Sequence, residues 1–190
     1  MRIAIIGTGH IGSTLGGRFQ AAGHDVIYGS RHPAGTGPGG APQVTVAQAI
    51  SGAEVVLLAV PGPAATEVVA ANGPALDGKV VVDAVNRMGA PEVNSHAAIR
   101  QAAPRAHYVR AFNTLGWENF ADPPAGADLF FAADDAARPA AEELIRAVGL
   151  NPAYLGDAGA AGTVDGVLPL WFALVQQRGG NRKLAFRVLQ

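Results

Sequence analysis

The sequence of 190 residues predicts a doubly wound α/β fold, a mostly parallel sheet with helices on both faces. Apolar runs of strand length alternate with longer helix-like stretches, which is typical of parallel strands joined by crossover helices. A Gly-x-Gly-x-x-Gly motif follows the first apolar run and opens the first helix. After Asp157 the composition changes to a mostly apolar helix. We therefore expect one domain over residues 1–157 and a small C-terminal helical appendage over residues 158–190.

Each strand is predicted where an apolar run is bounded by glycine, proline or polar residues. These runs cover residues 2–6, 25–29, 54–60, 79–84, 107–112 and 128–133, with an edge strand at 152–155. Helices are predicted from the glycine motif to about Ala22 and over residues 46–51, 63–71, 95–102, 138–148 and 160–177. The segment between Arg31 and Gln43 is rich in Gly and Pro, so we expect a mobile loop there rather than a helix or a central strand.

Charge and composition exclude several classes of protein. The 14 Lys and Arg residues nearly balance 15 Asp and Glu residues, and a formal net charge of −1 does not suit binding to duplex DNA or to an anionic membrane surface. The absence of Cys excludes disulfides, thiol nucleophiles and metal sites built from thiolates. Apolar residues make up 49% of the chain, enough for a sizeable core. Only 15% of residues are charged, so we expect a partner subunit, in the form of a homodimer, to cover part of the surface.

The sequence also indicates a cellular setting. The longest apolar run, 167–175, has nine residues, whereas a membrane span needs about 20. The first predicted strand begins at residue 2, which leaves no room for a signal peptide. We therefore expect a cytoplasmic protein without a membrane partner. Arg outnumbers Lys twelve to two, and Ala and Gly abound, which indicates a GC-rich bacterial genome.

The glycine motif is typical of a dinucleotide-binding loop in a Rossmann-type domain. Gly7 allows a tight turn, Gly9 lets the backbone approach a pyrophosphate, and Gly12 lets the helix and strand pack closely. The N-terminus of the following helix offers free N–H groups and the positive end of its dipole to phosphate. The motif therefore predicts a bound dinucleotide.

The tip of the second strand indicates which dinucleotide is bound. NAD-binding domains usually carry Asp or Glu there, about 20 residues after the glycines, to accept from the ribose 2′-hydroxyl. Here the tip reads Gly29-Ser30-Arg31-His32, and Asp25 lies at the other end of the strand. Ser30 and Arg31 can bind a 2′-phosphate, and no acid is present at the tip to repel it. We therefore predict NADP(H) as the cofactor.

Candidate contacts for the nicotinamide and a second substrate lie at other strand ends, because ligands of open α/β sheets bind beyond the carboxyl ends of the strands. Ala59, Val60 and Pro61 form an apolar edge that suits the ribose and nicotinamide. Asn86 and Asn113 either direct their amide groups toward the ligands or form turns after their strands.

The aromatic and histidine residues say less about where a ligand or a metal ion would bind. Trp117 either forms a wall of a flat pocket or packs in the core. His10 lies inside the glycine motif, where its backbone matters more than its ring. His96 and His107 have no partners at metal-ligand spacing, so we predict no metal site.

Five segments of the chain carry a family resemblance. They are residues 5–12 (IIGTGHIG), 29–31 (GSR), 58–61 (LAVP), 110–119 (RAFNTLGWEN) and 184–189 (LAFRVL). In these segments, and over essentially its full length, the chain resembles the NADPH:F420 oxidoreductase family. The same superfamily includes the cytosolic oxidoreductase domain of membrane metalloreductases, whose electron acceptor differs.

The resemblance implies hydride exchange between C4 of the nicotinamide and C5 of coenzyme F420, an 8-hydroxy-5-deazaflavin. Such a reaction depends on two rings held face to face rather than on an acid or base, so we name no catalytic residue. The resemblance also implies that the C-terminal helix covers the second ring and helps to form a dimer. With the strand-end residues above, the expected cofactor contacts are Gly7, Thr8, Gly9, His10, Ile11, Gly12, Ser30, Arg31, His32, Ala59, Val60, Pro61 and Asn86. The expected substrate contacts are Asn113, Thr114 and Trp117.

The chain departs from the family pattern in its basic residues. Members often carry a further basic residue after the Ser-Arg pair, but here only His32 precedes the Gly- and Pro-rich segment, which weakens the expected preference for NADP. The long acidic tail of the coenzyme calls for basic residues near the cleft, and Arg87 and Arg110 are the candidates.

Two other functions stay open. An NADPH-dependent reductase of a small imine, carbonyl or other acceptor needs a proton donor, for which Tyr154, Glu118 and Asp165 are the available residues. A non-catalytic NADP(H)-binding sensor or partner subunit would use the apolar run 167–175 as an interface. Oxidation of bound NADPH by an added acceptor separates the enzymes from the sensor.

Overall fold

The computed structural model describes residues 1–189 of the chain, and a nine-stranded sheet forms its centre. The strands are β1 (Arg2–Ile6), β2 (Asp25–Ser30), β3 (Gly35–Thr36), β4 (Pro42–Thr45), β5 (Val55–Leu58), β6 (Val80–Asp83), β7 (His107–Arg110), β8 (Asp128–Ala133) and β9 (Asn151–Tyr154). The helices are α1 (His10–Ala21), α2 (Val46–Gly52), α3 (Gly62–Leu76), α4 (His96–Ala102), α5 (Trp117–Ala121), α6 (Arg138–Ala147), α7 (Ala161–Asp165) and α8 (Val167–Gln177).

The strand order is β3-β4-β2-β1-β5-β6-β7-β8-β9. The six strands from β4 to β7 run parallel, β3 and β8 run antiparallel to β4 and β7, and β9 pairs in parallel with β8. This arrangement confirms the predicted doubly wound, mostly parallel sheet. The chain builds outward from β1 through β2 to β4, then returns to place β5 on the other side of β1. The carboxyl ends of β1 and β5 therefore flank the topological switch point, where such folds bind ligands.

Helices cover both faces of the sheet because the central strands are apolar on both sides. All four residues of β5 are buried. On one face Phe19 of α1 and Trp171 of α8 belong to a single apolar cluster with residues of the sheet. On the other face Ile50, Val69 and Ile99 bring α2, α3 and α4 into a second cluster. The packing of both faces leaves the strand ends as the place for polar chemistry.

The C-terminal residues pack onto the rest of the fold. The buried indole of Trp171 donates to the Leu184 carbonyl at 2.8 Å, and the Asp128 N–H donates to the Phe186 carbonyl at 2.8 Å. The predicted helix 160–177 is interrupted by a turn at Gly166, which separates α7 from α8. The stretch Ala158–Gln177 is long and apolar enough to cross a membrane by length and composition, and 39% of its most apolar 18 residues are buried in the fold. Helices that cover the core of water-soluble proteins meet the same criterion.

The segment after Arg31 was predicted to be a mobile loop, but it contains regular structure. It forms the edge strand β3, a 3₁₀ turn at Pro38–Gly40 and then β4, which pairs with β2 so that Tyr28 lies opposite Gln43. The side-chain oxygen of Gln43 accepts from the Ala34 N–H at 2.8 Å. Glycine and proline are tolerated because β3 is an edge strand and the turn uses glycines at positive φ.

Other elements also differ from the prediction. Helix α3 extends to Leu76, beyond the predicted end at 71, and the short helix α5 was not predicted. Strand β7 ends at Arg110 rather than at residue 112. The reason lies in Phe112, whose φ of 63° is in the left-handed region, through which a strand cannot continue.

Candidate functional site

The glycine-rich loop lies at the switch point between β1 and β5. Gly7 has a φ of 115°, and a side chain there would overlap the carbonyl oxygen of Ala59 at the end of β5. A side chain on Gly12 would overlap the carbonyl oxygen of Gly7. Both positions therefore require glycine, because the loop, the end of β5 and the start of α1 approach one another at backbone distance.

Gly9 differs from these two glycines, since a Cβ atom on it would meet no atom within 4 Å. It lies at the N-cap of α1 in an extended conformation (φ −71°, ψ −175°) and makes no side-chain cap. The first-turn N–H groups of α1 have no partners within the helix, and they form the positive end of the helix dipole. Open space beside such a helix N-terminus fits the pyrophosphate of a dinucleotide.

A cleft of about 260 Å³ opens at this loop. Its walls bring together eight of the predicted cofactor residues, namely Gly7, Thr8, Gly9, Ser30, Arg31, Ala59, Val60 and Pro61. The rest of the lining comprises Ile6, Gly29, Val46, Ala64, Glu67 and Val68. The last four were not predicted from the sequence, and they lie at the start of α2 and in the first two turns of α3. The spacing of Ala64 and Val68, one helical turn apart after Pro61, is the signal that indicates such a wall.

The tip of β2 presents Ser30 and Arg31 to the cleft. The Ser30 hydroxyl oxygen accepts from the His32 N–H at 3.1 Å, in the turn that leads toward β3. Arg31 is exposed, and the ion pairs among residues 1–189 do not include it. The acidic residue of the lining, Glu67, comes from α3 rather than from the tip. The tip of β2 therefore carries a guanidinium that forms no ion pair within these residues.

Helix α5 is held against the glycine-rich loop. The rings of His10 and Trp117 stack with their centroids 5.0 Å apart and their planes 16° apart. Arg18 of α1 donates to the carbonyls of Phe120 and Ala121 at 2.9 and 2.5 Å. Trp117 is half-buried, so one part of its indole packs while the rest faces solvent beside the loop.

A buried polar network surrounds Arg110 below the carboxyl edge of the sheet. Its guanidinium, which has no exposed surface, lies 2.6–2.7 Å from the carboxylate of Asp165 and 3.5 Å from that of Asp83. It also donates to the carbonyls of Asp83 and Val85 at 2.9 and 2.6 Å and to Oδ1 of Asn86 at 3.0 Å. Every donor nitrogen is therefore used inside the protein. The prediction that Arg110 meets an acidic ligand tail is wrong, because β7 places it in the core.

The same network holds the two asparagines that were predicted to contact ligands. Nδ2 of Asn86 donates to the Asn113 carbonyl at 2.8 Å, while its Oδ1 accepts from Arg110. Nδ2 of Asn113 donates to Asp165 at 3.2 Å, and its Oδ1 is buried without a hydrogen-bond partner among residues 1–189. Asn113 and Thr114 are 2% and 1% exposed. Both residues therefore lie below the surface. Among the three predicted substrate contacts, Trp117 is the one that solvent can reach.

Burial also alters protonation in this network. It raises the pKa of the Asp83 carboxyl, although Arg110 and the N–H groups of Ser95 and Val85, which donate at 2.6 and 3.1 Å, oppose the rise. Burial and the adjacent Asp83 raise the pKa of the Tyr108 hydroxyl, which donates to that carboxylate at 3.1 Å. These groups join the ends of β6 and β7 and do not line the dinucleotide cleft. Their role is structural.

Arg87, the other basic candidate, stays at the surface. Its Nη1 donates to the Asn94 carbonyl at 3.4 Å. With Asn86 and Met88 it lines an open groove of about 510 Å³ at the N-terminus of α3. Because α3 begins directly after Pro61, this groove adjoins the dinucleotide cleft.

The three possible proton donors all lie outside the cleft lining. The Tyr154 hydroxyl is 3.5 Å from the Ala133 carbonyl, and the Glu118 carboxylate accepts from Arg182 at 2.8 Å. Asp165 belongs to the buried network. Across residues 1–189 no three His, Cys, Asp or Glu side chains are grouped so that they could hold a metal ion.

Comparisons with known proteins relate this geometry to a family. Residues 2–87 match the model of a family described as NADP oxidoreductase, coenzyme F420-dependent. A candidate F420-dependent NADP reductase from Arthrobacter sp. FB24 is 26% identical, with 100% of both chains covered and a TM-score of 0.86. A hypothetical protein from Sinorhizobium meliloti is 33% identical over 85% of this chain and 88% of its own, with a TM-score of 0.72.

A curated relative extends the comparison to a larger protein. The metalloreductase STEAP3 of Rattus norvegicus is 28% identical over 185 residues, which cover 90% of this chain. They cover 38% of the relative, so the chain spans about two fifths of that protein's length.

Proposed function

The chain belongs to the family of coenzyme F420-dependent NADP oxidoreductases, and from this premise we propose that it transfers a hydride between NADP(H) and coenzyme F420. The observation that carries the proposal is the cleft of about 260 Å³, which joins the glycine-rich loop to the Ser30–Arg31 tip of β2. The loop suits a pyrophosphate, and the tip suits the 2′-phosphate that distinguishes NADP from NAD.

The part of the protein in this reaction is to bind and orient two rings. Reduced NADP supplies the hydride from C4 of its nicotinamide. We assign the pyrophosphate to the N–H groups of residues 8–11 and the 2′-phosphate to Ser30, Arg31 and the neighbouring His32. Val60 and Pro61 would provide the apolar wall beside the nicotinamide. Rings held in this way need no protein acid or base for the transfer.

For the hydride acceptor we propose contact with Trp117. Its indole is flat, partly accessible and already placed against the glycine-rich loop by the stack on His10. Asn113 and Thr114 would then support this segment from below. Asp165 of α7 bonds to Asn113 and so ties the C-terminal segment, 158–190, to the same place. This tie supports the proposal that the segment covers the second substrate.

The reduction of an imine or a carbonyl group would need a proton donor at the developing charge. Tyr154, Glu118 and Asp165, the residues available for that role, lie outside the cleft lining and already contact other groups of the protein. No specific contact favours this second function.

A spectrophotometric assay tests the proposal. Purified protein, NADPH and oxidised coenzyme F420 are mixed, and the visible absorbance of the deazaflavin is followed as it is reduced. We expect fast bleaching with NADPH and much slower bleaching with NADH. Bound NADPH without bleaching would overturn coenzyme F420 as the acceptor. Oxidation of NADPH by a panel of imines and carbonyl compounds would then indicate a small-molecule reductase, and no oxidation by any acceptor would indicate a sensor.

A further inference from the structure

A second groove, of about 460 Å³, lies apart from the dinucleotide cleft. It is bounded by the C-terminal end of α8, by the segment 181–187 and by the turn before β8. Its lining comprises Pro124, Ala125, Ala127, Leu174, Arg178, Asn181, Lys183, Leu184, Ala185, Phe186 and Arg187. None of these residues belongs to the cofactor contacts assigned above. We call this site the C-terminal groove.

The C-terminal groove opens at the same edge of the sheet as the dinucleotide cleft. Strand β8 is antiparallel to β7 and pairs Ala132 with Arg110, so the start of β8 extends beyond the carboxyl end of β7. Helix α5 connects the two sites, because its Trp117 stacks on His10 of the glycine-rich loop. The next residue, Glu118, accepts from Arg182 at 2.8 Å beside the groove. A long ligand with one end near the nicotinamide can therefore reach the groove along α5.

The chemistry of the groove is apolar below and cationic at its rim. Leu174, Ala127 and Phe186 are buried or half-buried, and they form part of the floor. Three basic side chains line the groove, and no acidic residue does. Such a lining suits an organic anion, whose apolar part lies on the floor while its carboxylates or phosphates meet the rim.

Two of the rim cations are free to bind a ligand. Lys183 pairs with Asp122, but Arg178 and Arg187 form no ion pair within the described residues. The guanidinium of Arg187 lies against the backbone of Gly126, because its Cζ is 3.5 Å from the position that a Cβ on Gly126 would take. An exposed arginine pair without acidic partners is most favourable when an anion occupies the groove between them.

We propose that the C-terminal groove binds an extended organic anion, namely the acidic part of the hydride acceptor. The identification with the acceptor rests on the proposed function, whereas the binding of a polyanion does not. The groove thus supplies the basic contacts that the buried Arg110 cannot make. The segment 158–190 would then recognise the charged portion of the substrate while α5 approaches its ring.

Direct binding is tested by isothermal titration calorimetry with a triglutamate peptide and, separately, with inorganic tripolyphosphate. The variant R178E/R187E reverses both free rim charges, and R105E/R146E makes the same change in net charge at two exposed arginines outside the groove. We expect the first variant to lose at least about tenfold in affinity for the peptide, and the second to bind as wild type does. A stronger effect on tripolyphosphate would identify phosphate as the preferred anion. Equal losses in both variants, or no binding by the wild type, would overturn the groove.

Kinetics then test the link to the acceptor. Coenzyme F420 is compared with the same deazaflavin ring lacking the acidic tail. For R178E/R187E we expect the KM for the complete coenzyme to rise about tenfold or more, with kcat and the KM for the tailless ring unchanged. A KM that rises equally for both acceptors would contradict the proposal. If neither deazaflavin is reduced, the proposed function fails, and the calorimetry still decides whether the groove binds a polyanion.

Discussion

At the scale of single residues, the choice of dinucleotide depends on the free guanidinium of Arg31. It lines the cleft at the end of β2 and forms no ion pair within residues 1–189. The neighbouring Ser30 hydroxyl already accepts from the His32 N–H, and it keeps its own proton for a ligand oxygen. Ser30 and Arg31 together offer a 2′-phosphate one hydroxyl proton, the N–H groups of a guanidinium and one full charge.

We predict that Arg31→Ala weakens NADPH binding by about 2 kcal/mol, or roughly 30-fold, because a charge-assisted hydrogen bond to the 2′-phosphate is lost. The affinity for NADH should change little, since NADH has no phosphate at that position. Fluorescence titration of both nucleotides measures the difference. Arg31→Lys, which keeps the charge without the planar fork, should lose less. Equal losses for NADPH and NADH in Arg31→Ala would remove Arg31 from the phosphate site.

The buried Arg110 gives a second prediction, which concerns stability. Arg110→Met leaves the carboxylates of Asp83 and Asp165 in the core without their cation. We expect a loss of about 3–5 kcal/mol in the free energy of unfolding near pH 8. Chemical denaturation measures it, and Arg146→Met on the surface of α6 should change stability by less than about 0.5 kcal/mol.

The pH dependence of that loss has a definite sign. Burial already raises the folded-state pKa of Asp83 above its ordinary value, and removal of Arg110 raises it further. Between these two pKa values the folded variant holds a proton on Asp83 that the unfolded chain has released. The free energy of unfolding of the variant therefore falls as the pH rises from the ordinary carboxyl pKa to the raised pKa of the folded state. Arg110→Met should accordingly lose less stability at pH 5 than at pH 8. A loss independent of pH would show that the Asp83 carboxyl does not take up the proton.

The sequence could not predict the true position of Arg110. An arginine at the end of a strand is compatible with a ligand contact, and only its partners show otherwise. One of them, Asp165, is 55 residues away on α7 and was considered as a proton donor instead. By contrast, Ser30 and Arg31 line one cleft with the glycine-rich loop, and their position at a strand end could be read from the local sequence.

At the scale of elements, the glycines at the start of α1 differ in whether the fold requires them. Gly7 and Gly12 have no room for a side chain, whereas Gly9 and Gly17 have no neighbour within 4 Å of a Cβ. The backbone of Gly9 is also extended at negative φ, which alanine adopts without strain. Gly9 is therefore not needed for the fold, and its place at the N-cap of α1 supports the proposal that the open space beside it takes the pyrophosphate.

We predict that Gly9→Ala leaves stability within about 0.5 kcal/mol of wild type but lowers NADPH affinity at least about tenfold, because its methyl group would occupy the pyrophosphate space. Gly17→Ala, on the exposed side of the same helix, should raise stability by about 0.5–1 kcal/mol and leave NADPH binding unchanged. Thermal unfolding and fluorescence titration measure both quantities. Undiminished NADPH binding by Gly9→Ala would place the pyrophosphate elsewhere.

The edge hairpin after β2 shows where element prediction fails. Gly and Pro between Arg31 and Gln43 argue against a central strand, and indeed β3 lies at the edge of the sheet. The prediction of a loop there missed the pairing of the short strands β3 and β4. Pairing of Tyr28 with Gln43 depends on how β4 returns to β2, which is a tertiary contact that composition does not contain. The early end of β7 at the strained Phe112 has the same origin, since its φ of 63° is imposed by surrounding packing.

At the scale of the whole molecule, the doubly wound fold class followed from the alternation of apolar runs, but the placement of the C-terminal segment did not. Alternating strands and helices with right-handed crossovers leave few topologies, and the doubly wound one was confirmed. The C-terminal segment is held by single contacts such as Trp171 to Leu184 and Arg110 to Asp165. No local periodicity predicts such contacts, and for that reason the C-terminal groove was not foreseen.

The outer side of α8 remains apolar and exposed, and we propose that a second copy of the chain covers it. Leu170 and Phe172 are 53% and 36% exposed, and Pro169 and Ala173 beside them are exposed as well. A soluble protein rarely leaves a contiguous apolar helix face in water, and a two-fold dimer covers the same face on both copies. The low content of charged residues, 15%, also supports a surface that is partly covered by a second copy.

We predict that L170E/F172E converts a dimer into a monomer, because it would place four carboxylates in a symmetric interface without cations to pair them. Light scattering coupled to size-exclusion chromatography measures the mass, which should fall from about twice the chain mass of 19.3 kDa to that of one chain. Met88→Glu is the matched control, since Met88 is 66% exposed on a different surface and its replacement should leave the dimer intact. A wild-type chain that is already monomeric at micromolar concentration would exclude this interface. A variant that stays dimeric would move the interface away from α8.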